Sequence, residues 1–298
     1  MVNLKKRRGV LSLLMTFGLV ACGGGGGGVP TASTSPNLDL PSNYTLSWSD
    51  EFSQNGALGS TWTYDLGEAN FGGSNWGNAE LQYYTRDAQN VRVEGGNLVI
   101  QAVAGQPSGV NLQFTNIVAT SARVKTDTDA FYSALGNRPY GFYEIRAQIP
   151  CVAGGWPAVW MMGRTGDWPA RGELDIMEWF GRYFATEPNQ LQSGVHTTAG
   201  SGANSTYAKL PVSDLCTGFH KFQLHWQTSK LTFGVDGQEI LTYNKPVNAT
   251  TDNWPFDQPA HLLLNVAVGG NLGGTVSVSN IPNMRMLVDY VKIWQPPS

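Results

Sequence analysis

Apolar and polar positions alternate with a period of two along several stretches of the chain, and no long stretch carries the 3.6-residue period of a helix. Residues 97–103 (Asn-Leu-Val-Ile-Gln-Ala-Val) follow the turn-forming pair Gly95-Gly96 and read as a strand. Residues 140–149 alternate in the same way. Residues 219–226, 231–235 and 239–243 form a run of short strands, and Asp236-Gly237 between the last two is a strong hairpin signal. The near-continuous apolar run 261–268 suits a strand buried on both faces, and 287–294 alternates again to close the pattern. These elements predict an all-β fold: two antiparallel sheets packed as a sandwich.

One stretch breaks the simple alternation. Residues 172–181 read Gly-Glu-Leu-Asp-Ile-Met-Glu-Trp-Phe-Gly, with three carboxylates among large apolar side chains. On a strand, Glu173 and Asp175 share one face while Leu174 and Ile176 take the other. Regular alternation would then send Glu178 into the core. One extra residue, a β-bulge, restores the phase and returns Glu178 to the acid face. Three crowded carboxylates repel, so at least one keeps its proton near neutral pH. One ionised and one protonated carboxyl is the pairing that glycoside hydrolysis requires. A calcium site draws more on loop oxygens than on alternating strand positions, and an acidic edge would not explain the aromatics around the motif. Trp156 and Trp160 precede it, and Trp168 and Trp179 bracket it. Flat aromatic faces pack against the C–H faces of sugars, although any one tryptophan could equally be core. Trp48, Trp226 and Trp294 lie outside these motifs and are assigned to the core or rim.

Composition narrows the setting. Of 298 residues only 14% are charged, while Gly (36) and the aromatics are abundant, a mix that suits short strands and turns. Residues 1–22 read as a targeting segment. A basic Lys5-Lys6-Arg7-Arg8 run precedes an apolar stretch, Val10 to Val20, too short to span a bilayer as a permanent helix. The segment ends in Leu19-Val20-Ala21-Cys22, which resembles a bacterial lipobox, implying cleavage before Cys22 and lipidation of its thiol. The expected location is therefore that of an exported lipoprotein at the outer membrane or cell surface, with the periplasmic side left open. The membrane would be touched only through the lipid. Residues 23–42, rich in Gly, Pro, Ser and Thr, read as a linker, and 43–298 as one domain. Without residues 1–21 the chain has 15 basic against 22 acidic residues, which argues against nucleic acid as a partner. Cys151 and Cys216 remain, as a disulfide or as two buried thiols.

Glu173-Leu-Asp-Ile-Met-Glu178, with Trp156-Pro-Ala-Val-Trp160 before it, resembles glycoside hydrolase family 16, and within it the bacterial laminarinase (endo-β-1,3-glucanase) branch. Trp48-Ser-Asp-Glu-Phe52, residues 76–85, Pro255-Phe-Asp-Gln-Pro259, residues 265–270 and 288–293 extend the likeness along the domain. Met177 separates this branch from the lichenase type, whose strand lacks the bulge. The resemblance implies a β-jelly-roll sandwich of the concanavalin-like kind, with a substrate cleft on its concave face and hydrolysis with retention. It implies Glu173 as nucleophile, Glu178 as acid/base and Asp175 between them tuning protonation. Trp156, Trp160, Asn78, Glu80 and His196 would line the cleft, joined by Trp179 for its place beside the acid motif, and a monomer acting on β-1,3-glucan, with mixed-linkage β-1,3-1,4-glucan as a further substrate, is expected. No cofactor is expected for catalysis. A structural Ca²⁺ on the convex side would take Glu51, Gly96 and Asp289.

Three places depart from the family pattern: Phe142 where an arginine is usual, residues 270–274 without a Trp-Pro, and a longer, more polar 126–137. They bear on substrate choice. An agarase-, porphyranase- or carrageenase-like hydrolase stays open as an alternative, although only Arg164, Arg171 and Arg182 lie near the acid motif to meet sulfate. A non-catalytic glycan-binding module is the reading from another class; it would have no need of all three acids.

Overall fold

A computed structural model describes residues 37–297. The targeting segment, Cys22 and most of the stretch read as a linker lie outside the described residues. Two sheets dominate. The outer sheet runs, in spatial order, Gln238–Asn244, Lys230–Val235, His220–Trp226, Gly141–Gln148, Arg285–Gln295, Asn97–Gln101 and Val91–Glu94, with Thr45–Asp50 also paired to Arg285–Gln295. The inner sheet runs Thr206–Pro211, Gln190–His196, Glu173–Glu178, Gly155–Gly163, Ala260–Val268, Arg123–Lys125 and Thr63–Asp65. All pairings within these two sheets are antiparallel.

Alternation fixes which face each side chain takes. Tyr143, Ile145 and Ala147 of the outer sheet point inward, where they join Phe222, Leu224, Phe233, Val291 and Ile293. From the inner sheet Val159, Met161, Leu174, Ile176, Val195, Leu262, Leu264 and Val266 meet them, all buried. Trp226 is core, as expected. The hairpin at Asp236-Gly237 has both residues at positive φ (50° and 82°), as a two-residue loop matching strand twist requires.

Several features go beyond the sequence pattern. A small third sheet contains a parallel pair, Gln82–Tyr84 with Ala119–Ser121, and carries the chain toward the inner sheet. Residues 126–137 hold a short helix, Asp129–Ala134, because the Thr128 hydroxyl accepts the Phe131 N–H and the helix buries Phe131 and Tyr132. The end of the stretch read as linker belongs to the folded unit. Asn37 bridges Gln238, and buried Leu38 donates its N–H to the Gly237 carbonyl at 2.6 Å. Phe142 is fully buried on the face of its strand opposite the core residues, against His225 and Trp294, so its departure from the family pattern does not bear on the groove. Cys151 and Cys216 are joined in a disulfide, with their Cα atoms 5.3 Å apart.

Candidate active site

The acid strand Glu173–Glu178 lies between Gly155–Gly163 and Gln190–His196. Its register shows the bulge: Asp175 faces Trp160 and Met177 faces Val159, so Ile176 is the extra residue. Ile176 and Met177 both enter the core at zero exposure, and Glu178 returns to the groove face opposite Ala158. The Ile176 carbonyl, displaced from the ladder, accepts the Ser193 hydroxyl at 2.8 Å.

Each acid is held differently. The Trp168 indole N–H donates to Glu173 Oε2 at 2.8 Å, and the Trp156 N–H donates to Glu178 Oε1 at 3.0 Å. His196 accepts the Gly202 N–H on Nδ1 at 3.1 Å, which leaves the hydrogen on Nε2. That Nε2 lies 3.1 Å from Asp175 Oδ2 and 3.8 Å from Glu173 Oε1. The first approach lacks hydrogen-bond geometry, so Asp175 Oδ2 is buried without a donor. Among the described residues, no arginine or lysine is paired with any of the three.

The protonation pattern follows. Burial, then the charges of Asp175 and Glu173, push Glu178 well above the carboxylate range, against the opposing Trp156 hydrogen bond. Burial and Asp175 push Glu173 up to about 8, opposed by His196 and Trp168. Burial raises Asp175 to about 7, opposed by its hydrogen bond with Glu173. Glu178 therefore keeps its proton when the Glu173–Asp175 pair has lost one, the split that separates an acid from a nucleophile. Donor atoms of Glu173, Asp175 and His196 also lie within 4.8 Å of one another, a spacing that could hold a cation.

Beyond the acids, a buried polar chain leads away from Trp160. The Trp160 N–H donates to Asn265 Oδ1 at 2.8 Å, and Asn265 Nδ2 donates to the Tyr84 hydroxyl at 3.2 Å. Tyr84 and Gln82 both donate to Glu80 Oε2, and Gln82 Oε1 accepts the Val268 N–H. Burial lifts Glu80 to about 7. The Arg123 guanidinium lies 4.6 Å from the ring centroids of both Trp76 and Trp160, so it is sandwiched between two indoles, and it pairs with Asp65.

The structure thus gathers Glu173, Asp175, Glu178, Trp156, Trp160 and His196 around the acid strand and places Glu80 in the chain leading away from it. Asn78 sits in the same loop, its side chain donating to the Trp76 carbonyl. Trp156 is nearly covered, against Phe180 and Ala267, and acts through its N–H rather than as an open platform. Trp179 is a correction. It is fully buried in the core and donates to the Pro188 carbonyl, because the residue after Glu178 must point to the opposite face. Trp168, half exposed and bonded to Glu173, is the residue missing from the expected cleft set; its nearness to the motif was the available signal. Arg123 carried no sequence signal of its own, and Asn265 stood in a block of family likeness without a role assigned to it.

The expected calcium corner is brought together by register, since Arg285–Gln295 pairs with both Thr45–Asp50 and Asn97–Gln101. Its carboxylates are already matched: Asp289 pairs with Arg146 at 2.5 Å, and Glu51 with Lys292 at 3.0 Å. As arranged, these residues fit a cation poorly.

Comparison with known proteins places this geometry. The profile of the glycosyl hydrolases family 16 matches residues 83–292. A beta-glucanase of Rhodothermus marinus is 36% identical over 88% of this chain and 88% of its own length. Among solved structures, SCLam, a non-specific endo-beta-1,3(4)-glucanase, superposes with a TM-score of 0.77 at 34% identity, over 89% of this chain and 97% of that one. The laminarinase from Rhodothermus marinus gives 0.73 at 34% identity, over 86% and 98%.

Proposed function

The chain belongs to family 16 of the glycosyl hydrolases, and on that premise we propose that it is a retaining endo-glycosidase of β-1,3-glucan that also accepts mixed-linkage β-1,3-1,4-glucan. The observation that carries the reading is the bulged acid strand. It sets Glu173, Asp175 and Glu178 on one face, with no arginine or lysine paired to them among the described residues and with indole and polar side chains around them.

The residues then divide the work. Glu178, the group that holds its proton most firmly, gives it to the leaving glycosidic oxygen as Glu173 attacks the anomeric carbon and the C–O bond breaks. The product is a glycosyl ester on Glu173. Glu178, now a carboxylate, takes a proton from water, and the hydroxide so formed attacks the anomeric carbon and frees Glu173. Trp168 holds Glu173 for attack and Trp156 holds Glu178 for transfer, while His196 Nε2 stands 3.1 Å from Asp175 and 3.8 Å from Glu173. Asp175 shares a proton with Glu173 and, by its charge, keeps Glu178 protonated. No cofactor enters this scheme. The lipid anchor on Cys22, export to the outer membrane or cell surface, and a monomeric state complete the proposal; the first two rest on the sequence signals alone and the last on the family resemblance alone. The structural calcium is not carried forward, because its carboxylates are already paired.

Incubating the protein that starts after Cys22 with laminarin, lichenan, agarose and carrageenan, with Glu173→Gln as the blank, tests the reading. Reducing ends from laminarin, absent in the blank, are expected. Activity on agarose or carrageenan alone would keep the mechanism and overturn the substrate. Binding of laminarin without cleavage would favour the glycan-binding reading.

A further inference from the structure

We propose that Tyr207 is a sugar-stacking platform on the side of the acid strand away from Trp160, extending the groove to a glucan residue outside the reacting pair. The proposal rests on the β-glucan reading above. The register supplies its first support. Asp175 pairs with Gly194, and Gly194 pairs with Tyr207, so the three residues share one face of the inner sheet. The neighbours confirm the parity, because Ala208 faces Ser193, which is buried and bonded to the bulge carbonyl. Tyr207 therefore stands on the groove face two strand spacings from Asp175, roughly 10 Å at about 4.8 Å per strand.

The second support is the floor between them. A Cβ built at Gly194 would meet Asp175 Oδ2 at 3.0 Å and the Tyr207 Cβ at 3.7 Å. Glycine keeps that floor low, so the groove continues from the acids to Tyr207.

The third is the state of the ring. Tyr207 is 53% exposed and, among the described residues, makes no hydrogen bond, ion pair or ring contact. Lys209, next on the same face, is engaged by Glu187 at 2.7 Å and lies over the Tyr183 ring, so it does not cover Tyr207. An open, apolar face in line with a groove that binds a polymer fits the C–H face of a further sugar.

Steady-state kinetics on β-1,3-gluco-oligosaccharides of increasing length test this, after the parent has been shown to cut them. A parent that cuts no β-glucan would overturn the functional reading itself. With an active parent, Tyr207→Ala is expected to raise KM for the longest oligosaccharides roughly two- to tenfold and to leave the shortest cleaved one unchanged. Tyr207→Phe is expected to match the parent, because the ring and not the hydroxyl does the stacking. Tyr207→Ser serves in place of the alanine variant should that fail to fold. An unchanged KM for long substrates would overturn the proposal. So would an equal loss of kcat at every length, or a phenylalanine variant as impaired as the alanine one.

Discussion

Glu144 on the outer sheet and Asp175 on the inner sheet are both buried carboxylates in the middle of a central strand, yet their surroundings differ. Glu144 accepts the Gln223 amide and the Tyr290 hydroxyl, each at 2.7 Å, one on each oxygen. Nearby Arg146 and Asp289 neutralise each other, as do Lys292 and Glu51. Asp175 has one oxygen without a donor, two further carboxyls beside it and, among the described residues, no guanidinium or ammonium paired with it. Acids on the outer face are satisfied and serve the fold. Acids in the groove are left short of partners, which costs stability and keeps protons available near neutral pH.

Substitution should separate the two faces. Glu173→Gln is expected to lower kcat by about 10³-fold or more, since it removes the attacking group. The same change should stabilise the protein at alkaline pH. The folded pKa of Glu173 is raised from 4.5 to about 8, so the stability this group contributes is complete below its unfolded value and lost as pH rises through about 8. A glutamine there escapes the loss, and a Tm higher than the parent's at pH 9, converging at pH 4, would show it by calorimetry. Glu144→Ala should do the reverse: about 1–3 kcal/mol less stable in urea titration, with kcat unchanged, because two donors lose their acceptor. Asp175→Asn removes the charge that raises both Glu173 and Glu178, so both limbs of the pH–rate profile should move toward acid. Ser193→Ala should cost about 1 kcal/mol by orphaning the bulge carbonyl, with some loss of kcat as Glu178 shifts. The smallest effect is expected from chelation. EDTA should move Tm by less than about 1 °C, because cationic side chains already match the outer-corner carboxylates.

The alternating strands were readable, because one face of each meets the core and the other does not: Gly141–Gln148 and Arg285–Gln295 fall close to where the pattern placed them. Gly155–Gly163 gave no such pattern. Its groove face carries Trp156, Ala158 and Trp160, so both faces read as apolar. The bulge was legible from Glu178 alone, since no regular strand could keep it beside Glu173. The error at Trp179 has the same origin: nearness in sequence suggested the cleft, and one more step of alternation puts the ring in the core. Arg123 between Trp76 and Trp160 was invisible for a different reason. Its two rings come from segments far apart in the chain, and only the fold brings them together.

Glu173 as nucleophile and Glu178 as acid/base can be told apart by chemical rescue. Glu178→Ala would be given azide and a β-glucan oligosaccharide with an activated leaving group, which needs no acid to depart. Azide can then attack the glycosyl ester on Glu173 from the face that water would use. A glycosyl azide of the β configuration, identified by proton NMR, is expected. An α-glycosyl azide from this variant would mean that the alanine had replaced the nucleophile, and would reverse the roles given to Glu173 and Glu178.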